Sequence, residues 1–97
     1  MEKNFNIDEL ESKLENLTGF DFEEAEQIER QTGNNTPMIT FSSSFIIRLS
    51  AMALETTPQD LKALKISEYN DVVARTSNFL FGTSAKKILS KKSEELQ

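Results

Sequence analysis

The stretch Ser42 to Phe81, SSSFIIRLSAMALETTPQDLKALKISEYNDVVARTSNFLF, decides the fold class, because three amphipathic helices are written in it with their start signals. Ser42, Ser43 or Ser44 can cap the first of them: a short hydroxyl side chain accepts a backbone N–H that the opening turn leaves unpaired. Phe41, Phe45, Leu49, Met52 and Ala53 then share one face, with Ile46 and Leu54 beside them. Few charges and many small residues place this helix at the centre of a bundle. The second start is Thr57 at the N-cap, Pro58 at the first helical position and Asp60 at the third, close to a capping box. Leu61 and Leu64 are its core contacts. Ser67 is the expected cap of the third helix, with Glu68 next. Tyr69, Val72, Val73, Thr76, Phe79 and Leu80 repeat at the 3.6-residue period, and Gly82 is the expected stop.

Upstream the pattern is thinner. Asn6 or Asp8 can open a helix on which Ile7, Leu10, Leu14 and Leu17 recur at helical spacing. Gly19 is the expected stop, since glycine accepts the left-handed position after a helix. Asp21 is the expected next cap, with Phe22, Ala25 and Ile28 as an apolar stripe and Gly33 as the end. Residues 33–37, GNNTP, are turn chemistry throughout. Met38 to Phe41 reads as an extended lead-in that packs one or two side chains. Downstream, TSAKKILSKKSEELQ has lysines before glutamates, against the helix dipole, so residues 83–97 are expected to be a flexible or marginally helical tail. The expected architecture is all-α: a single helical domain over residues 1–82 with about four to five helices, a linker-like turn at 33–37, and that mobile C-terminal tail.

Ninety-seven residues make one domain, long enough for a core without staples. The absence of Cys and His removes disulfides, thiolate chemistry, imidazole metal ligands and the commonest general base. Ser42, Ser43 and Ser44 have no base to activate them, and the three glycines stand too far apart for a phosphate loop. The acids match no calcium loop, and Glu23, Glu24 and Glu26 lie on adjacent helical faces and do not converge as a dyad. No catalytic residue, cofactor, metal or small-molecule substrate is expected. The opening residues MEKNFNIDELESKLE lack an apolar signal core, and no apolar run approaches the roughly 20 residues that span a bilayer. A soluble, cytoplasmic protein is therefore expected.

The charge is uneven. Residues 1–37 carry ten acidic against three basic side chains, residues 38–82 four against four, and residues 83–97 two against four. An acidic protein repels phosphate backbones, which argues against nucleic acid as a partner. Reading Thr57 to Phe81 as a helix-turn-helix meets the same objection, with Glu68 and Asp71 where DNA would lie. Aromatic residues point instead to a protein partner. Phe79, Leu80 and Phe81 cannot all face one side of a helix, and Phe20 and Phe22 flank Asp21 in the same way. Phe20, Phe22 and Phe81 are thus candidate partner contacts, together with Ile88 and Leu89, the apolar pair of the tail.

In order, the chain presents Leu17-Thr18-Gly19 before the acidic helix Asp21 to Glu29, then the glycine-containing turn Gly33 to Pro37. The helix from Ser42 to Phe45 follows, Ala51 and Ala53 lead to the step Pro58, Asp60, Leu61, Leu64, and the last helix carries Tyr69, Val72, Val73, Phe79 and Leu80. This order, over about residues 14–82, resembles the small tail assembly chaperones of long-tailed bacteriophages and prophages. Tyr69-Asn70-Asp71 departs from the pattern, which would have an aspartate nearer the helix start. The resemblance implies a protein of the host bacterial cytoplasm, absent from the mature virion. It would coat the tape measure protein and help recruit tail tube protein, with self-association among its own copies. It also implies that some members have a frameshifted longer form, for which the codons of Lys86-Lys87 or Lys91-Lys92 are the candidate slippage sites. The alternative function is a small regulatory or inhibitory helical protein-binding module encoded by a phage or mobile element.

Overall fold

A computed structural model describes the backbone of residues 5–95 and the side chains of residues 5–82. Among the described residues there are five α-helices and no strand: α1 (Leu10–Leu14), α2 (Gly19–Gln31), α3 (Ser43–Leu54), α4 (Pro58–Lys62) and α5 (Ile66–Glu95). Single 3₁₀ turns, Ile7–Glu9 and Ile39–Phe41, precede α1 and α3.

The central helix is α3, as its composition predicts. It packs on α1, α2, α4 and α5. With partners on several sides, Phe45, Ile46, Ile47, Leu49, Ala51, Ala53 and Leu54 are all buried, well beyond the one-sided stripe of the sequence reading. Leu10 and Leu14 of α1, Ala25 of α2, Ile39, Leu61 of α4 and Val72 of α5 complete the core. Leu17, Met52, Leu64, Val73, Phe79 and Leu80 pack around it half-buried. One polar contact crosses this core: the Ser50 and Thr76 hydroxyls meet at 2.7 Å, while Ser50 also donates to the Ile46 carbonyl. Each hydroxyl is thereby satisfied in a place where an unpaired one would be costly.

Several start signals act as read. Asn6 accepts the Asp8 N–H, Ser42 accepts the Phe45 N–H, and Thr57 accepts the Asp60 N–H with Pro58 in the first turn. Hydrogen bonds from Thr56 and Thr57 hold the Asp60 carboxyl below the usual carboxylate range.

Other boundaries differ. The first helix ends at Leu14, before Gly19, and Gly19 begins α2. Its cap is Thr18, where Asp21 was expected; Asp21 closes a reciprocal capping box by accepting the Thr18 N–H at 2.9 Å. At α5 the Tyr69 N–H bonds the Lys65 carbonyl, so the helix starts at Ile66, ahead of Ser67. Gly82 does not stop α5, which continues to Glu95. A glycine inside a helix costs only about 1 kcal/mol, and here no φ reversal accompanies it. The expectation of a mobile tail falls on residues 83–97, whose side chains lie outside the described residues.

Gly33 does end α2 as read, at φ 98°. The Gly33 N–H bonds the Arg30 carbonyl and the Asn34 N–H bonds the Glu29 carbonyl, which is a Schellman closure. Nothing crowds the position where a Cβ would stand, so Gly33→Ala should cost only the backbone strain of that φ. A loss of about 1–2 kcal/mol is expected in denaturant unfolding.

Candidate functional site

The feature that stands out from this core is aromatic surface. The 3₁₀ turn Ile39–Phe41 sends Ile39 inward and leaves Phe41 66% exposed, contrary to the inward face assigned to Phe41 above. In so tight a turn neighbouring side chains diverge by about 120°, so Ile39 and Phe41 cannot both reach the core. On α5, Phe79 and Leu80 lean on the core and Phe81 falls a further step round the helix, 40% exposed. The rings of Phe41 and Phe81 stack with centroids 5.4 Å apart and planes at 22°. Each shields one face of the other and leaves the remainder to solvent. Met38, whose carbonyl accepts the Phe41 N–H, stands 58% exposed at the start of the same turn.

The candidates Phe20, Phe22, Phe81, Ile88 and Leu89 separate in space. Phe81 joins Phe41. Phe20 stands on the first turn of α2, 85% exposed. Phe22 turns inward, edge-on to Phe45 at 4.9 Å and 67°, so most of its ring serves the core. Ile88 and Leu89 lie outside the residues with described side chains.

A buried ion pair positions the loop that carries Met38 and Phe41. Glu29, 1% exposed, accepts from Arg48 Nε at 2.7 Å and from Asn34 Nδ2 at 2.9 Å. Asn34 Nδ2 also donates to the Ser42 hydroxyl at 2.8 Å, and its Oδ1 accepts the Thr36 N–H and hydroxyl. Arg30 closes over the loop by donating to the carbonyls of Asn34, Thr36 and Pro37. Burial by itself pushes the Glu29 carboxyl up. Hydrogen bonds from Asn34, Arg48 and Ser44, with the Arg48 charge, outweigh it and hold the carboxyl below the usual range. Glu29 is therefore ionised and fully engaged, and its role is to fix the loop. Sequence reading placed it only at the end of the acidic helix Asp21 to Glu29. The absence of any charge partner three or four residues away other than acids was a weak signal at best, because Arg48 is nineteen residues distant.

A second basic anchor, Arg75, ties the N-terminal segment to α5. It donates to the Ile7 carbonyl at 3.0 Å and lies near Asp8, Glu11 and Asp71. Among the described residues no group of His, Cys, Asp or Glu is placed to hold a metal, and no helix is long and apolar enough to cross a membrane. What this geometry defines is a helical domain with an exposed aromatic pair, one ring on a hydrogen-bonded loop and the other on α5. No family model, curated protein or solved structure matches the chain.

Proposed function

We propose that this chain is a phage tail assembly chaperone that binds the tape measure protein and assists tail tube assembly in the host cytoplasm. The observation that carries the reading is the Phe41–Phe81 stack. Phe41 and Met38 are exposed on a loop clamped by Glu29, Arg30 and Arg48, and the half-exposed ring of Phe81 on α5 stacks on Phe41, where a purely structural role would place polar residues. Rigid aromatics cost little conformational entropy on docking and serve as anchors for an apolar stripe of a client helix. The order of sequence elements over residues 14–82 is what directs the reading to this class of client. A long, largely helical client offers many such stripes, so weak contacts made by many copies add up through avidity. The protein is a binder in this reading, with no catalytic residue.

The test is co-expression with a tape measure protein from the genome that encodes this chain. The wild type is expected to keep that client in the soluble fraction. Phe41→Ser/Phe81→Ser, and separately Met38→Ser, should leave the melting temperature close to wild type while the client moves to the pellet. Equal precipitation with and without this chain would overturn the reading, as would undiminished solubilisation by both variants.

A further inference from the structure

Charge is common in this chain, at 28% of its residues, but it is missing from two stretches. Residues 31–47 carry none between Arg30 and Arg48, and residues 76–85 carry none between Arg75 and Lys86. The stretches are distant in sequence and meet in the fold, since Phe41 lies in the first and Phe81 in the second, stacked at 5.4 Å. The two rings and Met38 thus sit within an uncharged surface. Its flanks are polar without charge: Thr40 and Ser43 beside Phe41 in the chain, and Ser77 and Asn78 one turn before Phe81 on α5.

The charges that border this surface are already engaged. Arg30 is held by the Glu26 carboxylate and by the loop carbonyls. Arg48 is held by Glu29, and Arg75 by the Ile7 carbonyl with Asp8, Glu11 and Asp71 around it. The next charge along α5, Lys86, is five residues past Phe81, more than one helical turn. A charged side chain pressed against the Phe41–Phe81 pair would therefore lose water and meet no counter-charge, which is costly. An apolar side chain gains by leaving water there, and hydroxyl or amide flanks can exchange hydrogen bonds with the rim.

We propose that the Phe41–Phe81 surface takes an uncharged helical segment of its protein partner, an apolar stripe flanked by serine, threonine, alanine or amide side chains, and rejects stripes flanked by lysine, arginine or carboxylates. Selection of this kind works through the penalty on the wrong segment as much as through contacts to the right one. The contact has no ionic component for salt to screen, so its affinity holds as ionic strength rises. Along a long client, copies settle only where the stripe is free of charge. The inference rests on reading these rings as the client contact, and it adds the chemistry of the segment they accept.

The experiment uses three synthetic helical peptides with the same leucine and alanine stripe, flanked by glutamine and serine in the first, by lysine in the second and by glutamate in the third. The neutral peptide carries a dye and is titrated with the full chain by fluorescence anisotropy at low and high salt. Its Kd is expected to be the same at both. The charged peptides are then used unlabelled as competitors, at high salt, so that attraction of lysine to acidic residues elsewhere on the chain does not count. Each should compete roughly tenfold or more weakly than the unlabelled neutral peptide. Phe41→Ser/Phe81→Ser should abolish binding of the neutral peptide. Asn78→Glu and Asn78→Lys each place one charge on the exposed rim. The first should improve competition by the lysine-flanked peptide and the second by the glutamate-flanked one, with the melting temperature unchanged. A charged peptide that competes with the wild type as well as the neutral one would overturn the proposal. So would a neutral peptide that fails to bind or weakens in salt, or an unaltered preference in the Asn78 variants. An oligomer of the free chain that Phe41→Ser/Phe81→Ser disperses would also overturn it, since the surface would then belong to a second copy. The peptides contain no tape measure sequence, so co-expression decides the identity of the client whichever way they bind.

Discussion

Phe45→Ala is expected to destabilise the protein by about 3–5 kcal/mol, the largest effect of any single truncation in this core. Phe45 is fully buried in the first turn of α3, and its ring packs edge-to-face with Phe22. Removing it leaves a void between α2 and α3 that the surrounding helices cannot close without moving the clamped loop 33–42. Domains of this size have only about 5–15 kcal/mol of stability in total, so the variant should unfold at a much lower denaturant concentration. Phe41→Ala provides the contrast. Its ring is mostly in solvent and touches Phe81, so its loss should cost no more than the stacking contact, under about 1.5 kcal/mol. Comparable losses for the two variants in denaturant unfolding would contradict the division between the buried Phe45 and the exposed Phe41.

The second large effect belongs to the ion pair. Arg48→Met should cost about 3–5 kcal/mol near neutral pH, because it strands the Glu29 carboxylate in a buried site with its main charge partner gone. The pH dependence has a definite sign. In the wild type the Glu29 carboxyl is held below its ordinary value of 4.5, so its contribution is present above that value and is lost as pH falls through the lower, folded value. In the variant, burial acts with less opposition, so the carboxyl sits higher than in the wild type. Protonation then relieves the buried charge, so the deficit relative to wild type should shrink as the pH is lowered toward 4. Adding Glu29→Gln to Arg48→Met should recover much of the loss near neutral pH, since a neutral amide needs no counter-charge. Chemical unfolding of the three proteins at both pH values checks this. A deficit that does not change with pH would show that Arg48 acts through packing of its stem alone.

The two predictions also mark where sequence reading succeeds and stops. Phe45 was legible as core because its spacing to Leu49 and Met52 is local and repeats. Phe41 sits one turn earlier on the same apparent stripe and is outside, because the helix has not yet begun there: Ser42 caps it and a 3₁₀ turn precedes it. Asp21 was the expected cap of α2; the structure caps it with Thr18 and uses Asp21 to close the box. The end of α3 carried no glycine; Glu55 takes the left-handed conformation at φ 58° instead. The Glu29–Arg48 pair was invisible for a different reason, since nothing in either segment names the other.

The amino-acid sequence by itself determined the helical class, the start at Thr57, a start at Asn6 or Asp8 and another within Ser42–Ser44, the turn at Gly33 and the central place of α3. These follow from interactions spanning at most four residues, in which side-chain spacing and capping chemistry act directly on the neighbouring backbone. Tertiary structure alone decided which apolar residues face out and how Glu29 holds the loop that presents Phe41 to Phe81. Those outcomes depend on surfaces contributed by residues tens of positions apart, such as Ser50 with Thr76 and Arg75 with Ile7. Which of these surfaces meet is fixed only when the helices have packed.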